Sequence, residues 1–481
     1  MEVERRILRS TSIILSASLV SQLANFIFVV YFARAYSPEF FGEYSFALSL
    51  GSLSAIFVSL GTNRLLLRKC SQEPGEWKKN VQFLFPAQLS LAFAIWLIII
   101  FTAKILGLSG PELRIVAIVS SFQLLAPILG LLSIGFTSTE RMAYAALSEV
   151  GIRLSIMLAG GAAIWAGASV EGALLVLPAS GIIAMFVLSR LAFSEFGRPQ
   201  LRFDSAAFIS LWCEALPFFG IFALSIAYDR IGLLFLRSVG GAEQVGIFAS
   251  AERLVMVGGI LNVAFAKAIF PPIVKLIFTD KVRFRQLVDR CSRLILLISL
   301  PLASVLYLFA EDVIDILFGD RYRQAAGVLR IACWLIAFKG VSAVLESIGI
   351  ASDHKKLVLI GKTSGLVCLL VLCTLLLPTM GASGLAIALL AAQIPKLLVV
   401  YVGLRPTGYL PSMVRPNLPV LLACAITICV AMLLADQDLW LRVAIVFVLG
   451  TTLLWLLRAI RASDIAFFGE LLRGAPGRQD V

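Results

Sequence analysis

From Thr11 to Ile460 apolar runs follow one another with only brief polar interruptions. One helical crossing of a ~30 Å hydrocarbon core takes ~20 apolar residues, and these runs have that length. Hydropathy therefore predicts about fourteen helices, centred near residues 23, 53, 92, 125, 155, 181, 226, 258, 302, 337, 368, 393, 427 and 448. The polar stretches between them, Arg64 to Asn80 above all and the shorter Ser194 to Asp204 and Lys275 to Asp289, read as loops. None is long enough for an aqueous domain, so any chemistry sits within the membrane or at its rim.

Composition agrees with that pattern. Hydrophobic residues make up 60% of the 481 and charged residues 15%, with mean hydropathy +0.96, against about 45–50% and about 25% in soluble domains. The basic residues after Met1, namely Arg5, Arg6 and Arg9, precede an apolar run too long for a signal peptide, which predicts an uncleaved first span. With the N-terminus inside, most lysines and arginines fall on the inner side, in clusters such as Arg64, Arg68, Lys69, Lys78 and Lys79. The positive-inside rule then predicts a multi-pass protein of the cytoplasmic (inner) membrane with both termini cytoplasmic.

The net charge of +12 thus reflects topology, and such short loops cannot build a nucleic-acid surface. Seven of the eight cysteines lie in or beside apolar segments without CxxC spacing and read as packing residues. No metal site, cofactor or catalytic residue is expected. His354, in Asp353-His354-Lys355-Lys356, belongs to a polar turn.

Two segments repeat. Arg34 precedes Gly42-Glu43-Tyr44-Ser45-Phe46-Ala47, and Arg237 precedes Gly246-Ile247-Phe248-Ala249-Ser250-Ala251; both read Gly-x-aromatic-small-x-Ala. Gly167-Ala168 leading to Gly172-Ala173 is echoed, at nearly the same separation, by Gly381-Ala382 leading to Gly384-Leu385. Small residues are common wherever membrane helices pack, so coincidence is the bland reading of one match. Two matches predict duplication, with 1–200 as an N-lobe of helices 1–6, 201–405 as a C-lobe of helices 7–12, and 406–481 as an extra helix pair and cytoplasmic tail.

The run Ala33-Arg34-x3-Pro38-Glu39-x2-Gly42-x-Tyr44-Ser45, then Gly61-x-Asn63-Arg64, resembles polysaccharide-repeat flippases of the Wzx-like branch, within the multidrug/oligosaccharidyl-lipid/polysaccharide exporter superfamily. Tyr228-Asp229-Arg230, Pro271-x3-Lys275 and Phe318-Gly319-Asp320-x-Tyr322 extend the resemblance over nearly the whole chain. It implies two six-helix lobes across a central cavity, a final helix pair outside them, and alternating access. The implied substrate is an undecaprenyl-diphosphate-linked oligosaccharide passing from the cytoplasmic to the outer leaflet for O-antigen or exopolysaccharide synthesis, with membrane lipids and polymerase or export machinery as partners.

Charges near a bilayer centre cost from ~2.5 to well over 10 kcal/mol and mark cavities or partners. Five basic residues fall within predicted spans: Arg153, Arg230, Arg253, Lys267 and Lys339. Arg253 and Lys267 lie near one helix face, ~21 Å apart at 1.5 Å per residue, a spacing that suits passing a diphosphate along, or else one arginine paired with an acid and one snorkelling lysine. Arg230, Arg34 and Arg64 complete the candidate cations. Gln22 and Asn25, with Ser18, form a polar stripe on the first span that suits a sugar-facing wall or an interhelical bond. Asp229 is the candidate for proton or sodium coupling, or for a structural ion pair. Glu149 and Arg153, at i and i+4, read as an intrahelical pair.

Three other functions stay open: a lipid II-type transporter, a drug or cation antiporter of the same superfamily, and a membrane glycan polymerase or ligase. The outer loops are short and carry no HExxH, nucleotide-binding or nucleophile-elbow motif, which disfavours an enzyme. Intramembrane cations disfavour a cation antiporter.

Overall fold

Two glycines are where the longest helices break. In this computed structural model, describing residues 2–73, 75–105, 107–108, 110–139, 141–200, 204–277, 279–405, 417–433 and 439–456, α10 runs from Ser205 to Leu276 with Gly241 at φ 79° and ψ 178°. Helix α15 runs from Lys355 to Leu404 with Gly381 at φ 53° and ψ −127°. A positive φ is open to glycine and costly for other residues, so each long helix is two crossings joined by a glycine corner.

The described residues form helices and turns, with no strand among them. Helices α1 (Glu2–Ala35), α2 (Pro38–Ser59), α3 (Thr62–Gln72), α4 (Glu76–Ile105) and α5 (Gly110–Ser138) come first. Then come α6 (Met142–Ser155), running through one π turn into α7 (Gly161–Trp165), followed by α8 (Val170–Leu174) and α9 (Val176–Phe196). After α10 lie α11 (Lys281–Leu308), α12 (Ala310–Phe318), α13 (Ala325–Ala332) and α14 (Leu335–Ala351), and after α15 lie α16 (Leu418–Leu433) and α17 (Leu439–Leu456). Among the described residues ten helical segments are long and apolar enough to span a membrane. Split at Gly241 and Gly381 they become twelve, and α16 and α17 complete the fourteen. Each predicted centre falls inside one of these helices.

The chain divides into two compact units, Met1–Ala249 and Ser250–Val481. This packing boundary lies inside α10, beyond the lobe boundary at residue 200 expected from the repeat, because the first arm of α10 packs with the first unit. There α2 lies on α5, and α5 on α9. Trp77, Leu84, Leu131 and Phe136 share a core in which Trp77 Nε1 donates to the Leu131 carbonyl at 3.3 Å. In the second unit α11, α14 and α15 enclose Ile273, Phe284, Cys291 and Ile348. Outward faces are also apolar: Phe93, Ile98, Phe101 and Ile105 of α4 are all exposed. Such a patch suits lipid contact.

Helix α3 corrects the loop expected from Arg64 to Asn80. Leu65, Leu66 and Cys70 are fully buried on one side of it while Arg64 and Arg68 are exposed. Burial, and second the nearby Glu76, pushes the Cys70 thiol up to about 12. It stays protonated and packs as a small apolar group.

Candidate functional site

Helix α2 starts with Ser37 as its cap, the hydroxyl accepting from Phe40 N at 3.4 Å, and Pro38 in its first turn. The second arm of α10 starts just after Gly241. The two repeated motifs open these two helices, and they meet. A Cβ added to Gly42 would lie 1.8 Å from the Ala242 carbonyl oxygen and 2.9 Å from Gly246 N; one added to Gly246 would lie 1.9 Å from the Pro38 carbonyl oxygen. The contact is reciprocal, backbone on backbone, and only glycine fits at either position.

Beside this crossing, Glu43 on α2 has a side chain 1% exposed, and its Oε1 lies 2.5 Å from Arg237 Nη2 on α10. Arg237 also lies 3.5 Å from Glu112 on α5, so one guanidinium ties three helices. Nearby Arg114 pairs with Glu171 at 2.9 Å. Tyr36, between α1 and α2, donates its hydroxyl to the Ala168 carbonyl at 2.8 Å. Burial, and second the neighbouring Tyr31, holds that hydroxyl above its ordinary pKa, so it remains a donor.

The other end of α2 turns through Leu60 and Gly61, both left-handed, into the Gly61-x-Asn63-Arg64 motif. A Cβ on Gly61 would lie 2.8 Å from Phe219 N and 2.9 Å from the Ala215 carbonyl oxygen, so α10 passes close here too. Asn63 Nδ2 donates to the Pro127 carbonyl at 2.7 Å and its Oδ1 accepts from Gln88 Nε2 at 2.8 Å, joining α3, α4 and α5. Arg64 lies over the Phe222 ring, 5.5 Å from its centroid. Lys69 pairs with Glu214 at 2.6 Å.

The other expected residues fall as follows. Gln22 and Arg34 are exposed on α1, Arg34 in its last turn, and Asn25 is half-buried. Asn25 Oδ1 accepts from Arg153 Nη1 at 3.2 Å. The Glu149–Arg153 pair is therefore corrected: α1 and α6 pack together, and among the described residues Arg153 takes its partner from the neighbouring helix. On α10, Asp229 is exposed and Arg230 half-buried beside the buried Tyr228. Arg253 is half-buried in the second unit, Lys339 is exposed on α14, and neither of these nor Asp229 is a free charge. The side chain of Lys267 lies outside the described residues.

Three charged groups in the second unit come together that sequence spacing does not link. Glu346 on α14 accepts from Lys362 at 3.1 Å and Lys396 at 2.9 Å, both on α15. An acid inside an apolar run is the available signal, both here and at Glu43. Asn262 Nδ2 donates to the Ile336 carbonyl at 2.7 Å while its Oδ1 accepts from Ser299 at 2.9 Å. His354 Nδ1 stays within its own turn, 2.8 Å from the Ser352 carbonyl. Among the described residues no cluster of metal-ligating side chains occurs.

A family model described as polysaccharide biosynthesis protein matches residues 7–277. The capsular polysaccharide biosynthesis protein CapF of Staphylococcus aureus is 22% identical over 389 residues, 80% of this chain and 96% of its own. A Shigella flexneri protein described as an O-antigen transporter is 24% identical over 315 residues, 61% of this chain and 72% of its own. Among solved structures, the lipid II flippase MurJ in its inward closed conformation matches with TM-score 0.75 at 14% identity, covering 94% of this chain and 99% of that one. An outward-facing multidrug resistance MATE family transporter of the MOP superfamily matches with TM-score 0.55 at 16% identity, covering 84% and 96%. At such identities these two likenesses concern the fold.

Proposed function

Because the chain belongs to the polysaccharide biosynthesis protein family, we propose that it is a flippase, carrying undecaprenyl-diphosphate-linked oligosaccharide repeat units from the cytoplasmic to the outer leaflet by alternating access. The work is transport and needs no bond to be made or broken. In this reading the two repeats are two six-helix lobes, with α16 and α17 as an added pair. The protein resides in the inner membrane with both termini cytoplasmic, supplies a polymerase or export apparatus outside, and is driven by protons or sodium.

The observation that carries the reading is helix α10, which holds Arg230 and Arg253, both half-buried, within its apolar stretches. A cation kept in a span at the cost noted above is there for an anion, and the lipid-linked diphosphate is the anion that must cross. Arg230 and Arg253, with Lys267, would receive it; Arg34 and Arg64 would meet it near the two surfaces. Gln22 and Asn25 would face sugar, and Asp229 would carry the coupling ion. Lipid II-type transport shares that anionic head, and the polysaccharide description of the family and of both sequence relatives favours the polysaccharide.

In cells that depend on this chain for surface glycan, Arg253→Glu is expected to lower glycan display at least tenfold at matched protein level, and Arg253→Ala less. Full display in the glutamate variant removes the cation reading.

A further inference from the structure

The first arm of α10 is held to the α2–α3 segment at both of its ends, by ion pairs of unlike character. Glu214 and Arg237 are twenty-three residues apart, ~34 Å along a helix at 1.5 Å per residue, which exceeds a ~30 Å hydrocarbon core. One pair therefore stands at each membrane surface. Near Gly241, Glu43–Arg237 is closed in, with side chains 1% and 21% exposed, and the glycines of the reciprocal crossing lie next to it. Near Gly61, Lys69–Glu214 is open to solvent, with side chains 30% and 53% exposed, within the basic cluster that marks the cytoplasmic side. On α2 and α10, Phe57 and Phe219 lie with ring centroids 5.8 Å apart, Phe219 beside Gly61.

Separating Lys69 from Glu214 lets water hydrate both charges, so the contact parts at small cost. Separating Arg237 from Glu43 leaves a carboxylate in apolar surroundings, so that contact parts only when something replaces the guanidinium or the carboxylate gains another partner. The repeat is broken at this buried end: Arg34 and Arg237 precede Gly42 and Gly246 by eight and nine residues, but the place of Glu43 is taken by Ile247 in the second motif. Among the described residues Arg34 is exposed and makes no ion pair.

We infer that these contacts are the two gates of the transport cycle: Glu43–Arg237 on the Gly42/Gly246 crossing latches the outer end, Lys69–Glu214 closes the inner end, and the inequality of the two makes the resting protein open toward the cytoplasm first. This rests on the transport reading. The same inequality orders the two openings: the inner end parts readily to admit substrate and the outer end waits for a load, while the ion gradient sets the direction.

The test uses the full chain with its native cysteines replaced. Paired cysteines, Glu43→Cys with Arg237→Cys, are joined by a reducible bifunctional thiol reagent, and glycan display is measured before and after reduction. Display is expected to fall at least tenfold when joined and to recover on reduction; unchanged display in the joined form shows a static contact and overturns the gate. A separate reporter, Ile226→Cys between the two latches, is labelled from outside the cell with an impermeant maleimide. Glu43→Gln is expected to raise labelling severalfold, and the exchange of Glu43→Arg with Arg237→Glu to return it toward the parental level, whereas Lys69→Ala leaves it unchanged. Equal effects of Glu43→Gln and Lys69→Ala overturn the inequality. The labelling needs no substrate, so a chain whose labelling behaves as expected but whose loss leaves glycan display intact sinks the flippase reading and spares the gate.

Discussion

The two ends of the same helix pair use one chemical idea, a carboxylate against a cation, with opposite surroundings. At the Gly241 end the backbones touch, the carboxylate is sealed, and the guanidinium serves two acids. At the Gly61 end the lysine and glutamate lie in the open. Burial sets what each contact is worth: an exposed pair contributes about 0–1 kcal/mol, while removing one partner of a buried pair costs about 3–5 kcal/mol because the other charge is stranded. A membrane protein thereby makes one end of a helix pair firm and the other yielding with a carboxylate and a cation at each.

The largest expected effect comes from Arg237→Leu, which strands Glu43. It should lower unfolding stability in detergent by about 3–5 kcal/mol, and Glu43→Leu combined with it should recover most of the loss; a double variant no better than the single breaks the buried-pair argument. Next is Gly42→Ala, whose methyl meets the Ala242 carbonyl. About 1–3 kcal/mol of overpacking is expected, with a matching loss for Gly246→Ala because the contact is reciprocal, so unequal losses would mean that the crossing is not symmetric. The smallest is Lys69→Ala at the open end, where stability should change by less than about 1 kcal/mol and fade further at high salt. A drop comparable with that of Arg237→Leu would erase the difference between the ends.

The second unit repeats the lesson without a glycine crossing. Glu346 is held between Lys362 and Lys396, all three largely enclosed. Sequence alone does not bring these three together, because charge is legible span by span and pairing lies between spans. The same blindness hid Glu43, which stands inside a motif noted for its glycine and aromatic residue. It also misassigned Arg153, whose acceptor on another helix, Asn25, lies far away in sequence.

Hydrophobic run length is local and was enough to place every span, since lipid and backbone geometry act on neighbouring residues; the Gly42 and Gly246 motifs were legible as a repeat. Helix α3 needed more, because its apolar side faces protein and is too short to register as a run. That the two repeated motifs press against each other, that Arg237 reaches Glu43 and Glu112, and that one end of the pair is dry and the other wet were decided only by tertiary packing. Burial of a charge depends on which helices close around it, and residues distant along the chain make that enclosure.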